Sequence, residues 1–211
     1  MLLALLSLRA QDYSTAWPYL YSTFTDGTVI LKNGTKSQHS LNVHILHGAL
    51  HYIENGVVKE ALLSDVLTAQ IGEDRYMNVD GQMMKMVASS DAGFVAKLSL
   101  GDFERLLAGS GAYGTTAASD ATRKLTSLEI AGRPNQNHME MWERRHGGER
   151  VNLVDKYYIV TPDHTYEANR HAFESALNDT QKNDFKQWSK NHKIKWNNPE
   201  SLLSLVDFLN Q

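Results

Sequence analysis

Four Asx-Gly pairs fall within the first 81 residues: Asp26-Gly27, Asn33-Gly34, Asn55-Gly56 and Asp80-Gly81, each between short apolar, β-prone runs. A two-residue hairpin turn needs positive φ, which Gly adopts freely and Asn or Asp tolerates. Repeated at close intervals, such turns dictate an antiparallel meander. They leave no length for the helical crossovers that a parallel sheet requires. The intervening runs at 28–31, 41–46, 49–53, 57–58, 66–71, 75–79, 82–88 and 94–100 are all strand-sized.

Within these runs, the side chains alternate. Leu41, Val43 and Ile45 share one face and Asn42, His44 and Leu46 the other; Phe94, Ala96, Leu98 and Leu100 alternate with Val95, Lys97 and Ser99. Period two assigns each strand a core face and a second, wetter face. Trp17, Tyr19 and Tyr21 alternate as well, so three aromatics are expected on one side of an extended segment. Pro18 cannot donate to a ladder and restricts that segment to a sheet edge.

Residues 125–130 and 154–160 also read as strands, with a long polar loop or hairpin over 131–150. After Thr161-Pro162 the period becomes helical. Ala168, Ala172, Phe173, Ala176 and Leu177 fit one stripe. Thr180 is the expected cap of a second helix carrying Phe185 and Trp188. Asn198-Pro199-Glu200 opens a third, followed by Leu202, Leu203, Leu205, Val206 and Leu209. The expected fold class is α+β: an antiparallel β-meander or partly closed barrel over 15–160, then three C-terminal helices over 163–210. Helices this short do not stand alone, so residues 11–211 are expected to form a single domain.

Composition limits the function classes. A net charge of −3 does not draw the chain to nucleic acid, and no run approaches the ~20 apolar residues of a membrane span. The absence of Cys excludes disulfides, thiol catalysis and Cys-based zinc sites. No cofactor motif is present: Gly109-Ser-Gly-Ala-Tyr-Gly114 lacks the Gly-Lys-Ser/Thr ending of a phosphate-binding loop and reads as a connector.

Three constellations are candidates for function. The segment from Met139 to His146 mixes Met139, Met141 and Trp142 with Glu140, Glu143, Arg144, Arg145 and His146. A polar loop with embedded Met and Trp suits a binding edge, so Trp142, Met139, Met141, Glu140 and His146 are the expected contacts with a ligand or protein partner. The sheet face is the other expected surface. A second set, His164, Glu167 and His171, is spaced i, i+3, i+7; on a helix face it would offer metal ligands for a hydrolase. A third, Lys182, Lys186, Lys190 and Lys193, forms a row that can meet an acidic partner or simply face water. Every catalytic set lacks a required element, so the expected function is non-catalytic binding, with a metal- or acid/base-dependent hydrolase as the alternative.

The motifs Leu31-Lys-Asn-Gly-Thr35, Leu41-Asn42, Ile71-Gly72 and Gly111-Ala-Tyr-Gly114 resemble a set of uncharacterised exported proteins of Bacteroidota-type Gram-negative bacteria, over residues 19–115. The resemblance implies export and a β-rich N-terminal part, and it implies no activity. Residues 1–10 fit the same expectation. Leucines at 2, 3, 5, 6 and 8 follow no helical period and suit the apolar region of an export signal that has lost its basic start, with cleavage after Ala10. The expected location is the periplasm or the cell exterior. Mass spectrometry of the protein expressed from its native locus should find a mature chain beginning at Gln11; an intact start at Met1 would refute export by this signal.

Overall fold

The protein is described by a computed structural model covering residues 14–16, 18–102 and 150–210. It is an α+β fold. An antiparallel sheet of eleven strands is followed by three helices. The strands are β1 (Ser14–Ala16), β2 (Thr25–Leu31), β3 (Lys36–His44), β4 (Ala49–Glu54), β5 (Val57–Glu60), β6 (Val66–Ile71), β7 (Asp74–Val79), β8 (Gln82–Ser90), β9 (Gly93–Gly101), β10 (Arg150–Val160) and β11 (Thr165–Glu167). The helices are α1 (Arg170–Ala176), α2 (Asp179–Asn191) and α3 (Pro199–Leu209).

The spatial order is β1-β10-β9-β8-β7-β6-β2-β3-β4-β5, with β11 pairing β10 off this path. Two meanders, β2 to β5 and β6 to β9, are thus joined where β6 returns to the open edge of β2. The sheet does not close, but it curls. The β3–β4 turn reaches across to the far strands, where Gly48 O accepts from Met83 N at 2.8 Å and Ile45 O accepts from Gly101 N at 2.9 Å.

Three of the four Asx-Gly pairs turn the chain as expected. Asn33-Gly34 joins β2 to β3. Asn55-Gly56 and Asp80-Gly81 have φ of 51° and 74°, and of 51° and 80°, the paired positive values of a type I′ hairpin. The fourth pair does not turn: Asp26 and Gly27 lie inside β2. Gly27 is needed there for a different reason. A Cβ on it would sit 2.1 Å from Gln70 O and 2.8 Å from Leu41 Cδ1, so only a bare Cα lets β2 approach its neighbours this closely.

The expectation that Tyr19 and Tyr21 share a face also fails. Tyr19 forms an isolated bridge with His44, prolonging the ladder beside β3, and its ring meets His44 and His51. Tyr21 instead reaches Asp74 and Tyr76, which register places on the opposite side of the sheet. The chain bends over residues 20–23, which breaks period two. Asn42, fully buried, holds that bend: Oδ1 accepts from the Tyr21 and Val43 amides at 3.1 and 2.9 Å, and Nδ2 donates to the Tyr21 and Thr23 carbonyls at 2.9 and 3.1 Å. Trp17 lies outside the described residues.

The core has two principal parts. One, in the curl, gathers Val29, Leu41, Val43, Leu50, Ala69, Ile71 and Tyr76. The other lies between the sheet and the helices, where Leu202, Leu205, Val206 and Phe208 of α3 pack on Val95 and Ile159. Each such side chain withdrawn from water contributes roughly 1.5–3 kcal/mol. Helical boundaries follow local chemistry. Asn169 caps α1 through the Ala172 amide at 2.8 Å, and Asn198 caps α3 through the Ser201 amide at 2.8 Å, ahead of Pro199. The α2 cap is Asn178 rather than Thr180: Asn178 and Gln181 form a reciprocal capping box, which leaves Thr180 inside the first turn. Among the described residues no helix is long and apolar enough to cross a membrane.

Gly27→Ala should therefore lower stability by about 3 kcal/mol, the upper range for forced overpacking. Gly34→Ala, at φ 84° with nothing within 4 Å of its added Cβ, should cost only the roughly 1–2 kcal/mol of a left-handed alanine. Urea midpoints of the two variants give the comparison, and equal losses would remove the close-approach role assigned to Gly27.

Candidate binding surfaces

One gathering of positive charge lies in the helical layer. Only Leu177 and Asn178 separate α1 from α2, and both helices turn aromatics inward. Phe173 and Phe185 meet at 5.1 Å between ring centroids, inclined at 63°. Periodicity then sends Arg170, His171 and Glu174 of α1 and Lys182 and Lys186 of α2 to the outer side. They line a groove of about 540 Å³ with Phe185 at its base. A second hollow of about 250 Å³ adjoins it, sharing Arg170 and Phe185 and bounded by His192, Lys193, Ile194 and Trp196.

Four cationic side chains thus face one carboxylate across the two hollows. That carboxylate, Glu174, accepts from Arg170 Nε at 2.8 Å, an i,i+4 pair on the helix surface. Among the described residues, Lys182, Lys186 and Lys193 form no ion pair. The lysine row read from the sequence is exposed to water, and Lys182, Lys186 and Lys193 of it also line the groove, whereas Lys190 does not.

The sheet carries charge of a different kind. Tyr21 donates to Asp74 Oδ2 at 2.6 Å and lies 2.7 Å from the Tyr76 hydroxyl. With its proton committed to Asp74, Tyr21 must accept from Tyr76. Lys85 Nζ pairs with the other Asp74 oxygen at 2.5 Å. Register puts Lys85 directly opposite Lys97, a like-charged pair that repels unless neutralised. Lys97 takes Asp155 Oδ2 at 3.1 Å, and Ser99 donates to Asp155 Oδ1 at 2.6 Å. Both oxygens of each aspartate are engaged, so this band stitches β7 to β10 together.

Burial alone would raise the Asp74 carboxyl, but the Lys85 ammonium and the Tyr21 hydroxyl outweigh it and hold its pKa below the usual carboxylate range. Burial in turn pushes the Tyr21 phenol far above its ordinary value, with Tyr76 and Asp74 adding to the effect, so Tyr21 stays a donor.

A third cluster, buried except for the exposed Glu60 carboxylate, lies at β5. Tyr19 OH lies 2.9 Å from His51 Nδ1, and His51 Nε2 lies 3.2 Å from Glu60 Oε2. Burial, then the charge of Glu60, raises the Tyr19 pKa and keeps it a phenol. Its proton therefore goes to Nδ1, which assigns the Nε2–H tautomer that donates to Glu60. The arrangement has the form of a hydroxyl–imidazole–carboxylate chain. However, Tyr19 is 2% exposed and His51 1%, so no substrate reaches the hydroxyl, and the chain acts as a clasp between residues 18–20, β4 and β5. A broad depression of about 660 Å³ lies over β2, β3 and β6 on the sheet. Two of its polar groups are already paired, Ser40 with Asp26 at 3.0 Å and Gln70 with the Gly72 carbonyl at 2.9 Å.

Met139, Glu140, Met141, Trp142 and His146 lie outside the described residues. The structure does not set His164, Glu167 and His171 on one helix face. His164 sits in the β10–β11 turn with its ring against Tyr166, Glu167 ends β11, and only His171 is helical. Among the described residues no three His, Asp or Glu side chains come together to hold a metal ion. Sequence reading missed the Tyr19–His51 and Asp74–Lys85 contacts, which join residues 32 and 11 positions apart through strand register, and no local signal marks them. Comparison with protein-family models, curated proteins and solved structures returned no match.

The depressed Asp74 pKa predicts a pH signature. Its stabilising contribution is fully present above the unfolded carboxylate value of about 3.9 and is lost as pH falls through the lower folded value. Asp74→Asn should flatten the acid limb of a stability–pH curve below about pH 4, measured by urea unfolding. An unchanged acid limb would show that Asp74 is not held by the lysine.

Proposed function

We propose that this is a non-catalytic exported protein that binds an anionic partner in the groove between α1 and α2. One observation carries the reading. Lys182, Lys186 and Lys193 line a continuous recess without a counter-ion among the described residues, whereas the sheet lysines Lys85 and Lys97 are each neutralised by an aspartate. Cations gathered in a recess, facing one carboxylate, favour an anion that supplies the missing charge. Export is supported by the apolar stretch over residues 2–8 and by the resemblance noted over residues 19–115.

A fluorescein-labelled oligoglutamate peptide should bind the full-length protein with an affinity that falls as salt rises from about 50 to about 300 mM. The double variant Lys182→Glu/Lys186→Glu should weaken binding about tenfold or more, since each reversal replaces attraction with repulsion. Both positions are exposed, so stability should change by less than about 0.5 kcal/mol each. Lys36→Glu, exposed on β3, is the control and should bind as the parent does. Equal anisotropy titrations for the parent and the double variant would refute the groove as the site.

A further inference from the structure

The two hollows are one site with two chemistries. They share Arg170 and Phe185, so they are continuous, yet their remaining walls differ. The larger is walled by Lys182, Lys186 and His171. The smaller is walled by Ile194 and Trp196, with Lys193 beside them. Ile194 and Trp196 are each only half-buried: both pack inward on the helical core, Trp196 lying 5.8 Å from Phe173, and both leave part of their surface open to the recess.

That apolar end is held rigid. Trp188 and His192 stack at 4.1 Å and 5°, and His192 Nδ1 donates to the Trp188 carbonyl at 2.8 Å, closing the end of α2. The Lys195 amide donates to Ser201 Oγ at 2.9 Å, and the Asn198 amide to the Lys195 carbonyl at 3.0 Å. The segment after α2 is thus tied to α3 before any partner arrives, and a preformed pocket loses little entropy on binding.

We infer that the groove takes an acidic peptide segment that carries one large apolar side chain, the carboxylates seated on Lys182 and Lys186 and the apolar group between Ile194 and Trp196. This rests on the anionic-partner reading above and narrows it. Helical rise sets the spacing. Lys182 and Lys186 are one turn apart, about 6 Å, which matches side chains two residues apart on an extended peptide. From Lys186 to the end of α2 at Asn191 is about 7.5 Å, and the smaller hollow opens there beside His192 and Lys193, roughly two to three further residues along an extended peptide. The matching pattern is acid-x-acid-x-x-apolar. A nucleic acid fits less well, because the basic wall is short and would meet few of its phosphates.

The test uses labelled peptides containing Glu-Gly-Glu-Gly-Gly-Phe, made in both chain directions, on the full-length protein. In the favoured direction, replacing Phe with Ala should weaken binding about tenfold, and replacing both Glu with Gln should do at least as much. Lys182→Glu/Lys186→Glu should abolish the preference for Glu over Gln while leaving the preference for Phe over Ala. This crossed pattern would assign the two hollows separately. If oligoglutamate binds but Phe and Ala peptides are equal in both directions, the apolar subsite is refuted and the anionic groove stands. If neither oligoglutamate nor the Phe peptides bind, both readings fall. Tighter binding of a single-stranded oligonucleotide that is lost in the double lysine variant would overturn the peptide assignment in favour of a phosphate-bearing partner.

Discussion

The sheet depends on the double pairing of β2. This strand bonds β3 on one edge and β6 on the other, and the β6 pairing alone unites the two meanders into one ladder. Its cost is crowding at the join. Gly27 relieves that crowding, because any side chain there would strike the Gln70 carbonyl and the Leu41 side chain. A Pro or a β-branched residue at position 27 would weaken the β2–β6 join and loosen one wall of the apolar cluster enclosed in the curl. The same strand also decides how the chain enters the fold. The Tyr19 bridge extends its line past the bend that Asn42 satisfies, so a buried polar side chain replaces the hydrogen bonds the ladder omits.

The helices complete what the sheet leaves open. Val95 and Ile159 are apolar on the face that β9 and β10 turn toward the helices, and α3 covers them. The first two helices contribute Phe173 and Phe185 from their inner sides, and the short connection between them fixes the outer sides at a fixed distance. The groove is thus a by-product of packing: two helices held close by an aromatic pair cannot also bring their outer long side chains together. Lysines on those outer sides cover its walls with their stems and leave their heads at the rim.

Lysine has opposite roles in the two layers. In the sheet, Lys85 and Lys97 face each other across a ladder, and each requires a carboxylate to make that proximity tolerable. In the helical layer Lys182 and Lys186 follow one another along α2, about one turn of 5.4 Å apart, Lys193 comes after the helix ends, and water screens the remainder. Repulsion is small there, and no internal counter-ion is needed. The result is a sheet whose facing lysines are each paired with an aspartate and a helical rim whose groove lysines are not paired.

Local sequence determined the strands of the two meanders, most of their turns and the start of α3. Asn55-Gly56 and Asp80-Gly81 turn because their backbone preferences are intrinsic, and Asn198-Pro199 starts a helix because the cap and the fixed φ act within four residues. The α+β class followed from the change of period near Thr161-Pro162, and the lysine row was legible from spacing alone. Tertiary structure decided what depends on partners distant in the chain. Asp26-Gly27 carries the same local signal as the other pairs, yet it lies mid-strand because β6 returns to pair there. Tyr19 and Tyr21 alternate in sequence, yet they meet opposite faces because Asn42 holds a bend between them. His164, Glu167 and His171 keep helical spacing, yet the helix begins only at Arg170. The groove itself was not readable, since spacing fixes which lysines share a face but not which element stands opposite; that is set by how two aromatic side chains pack.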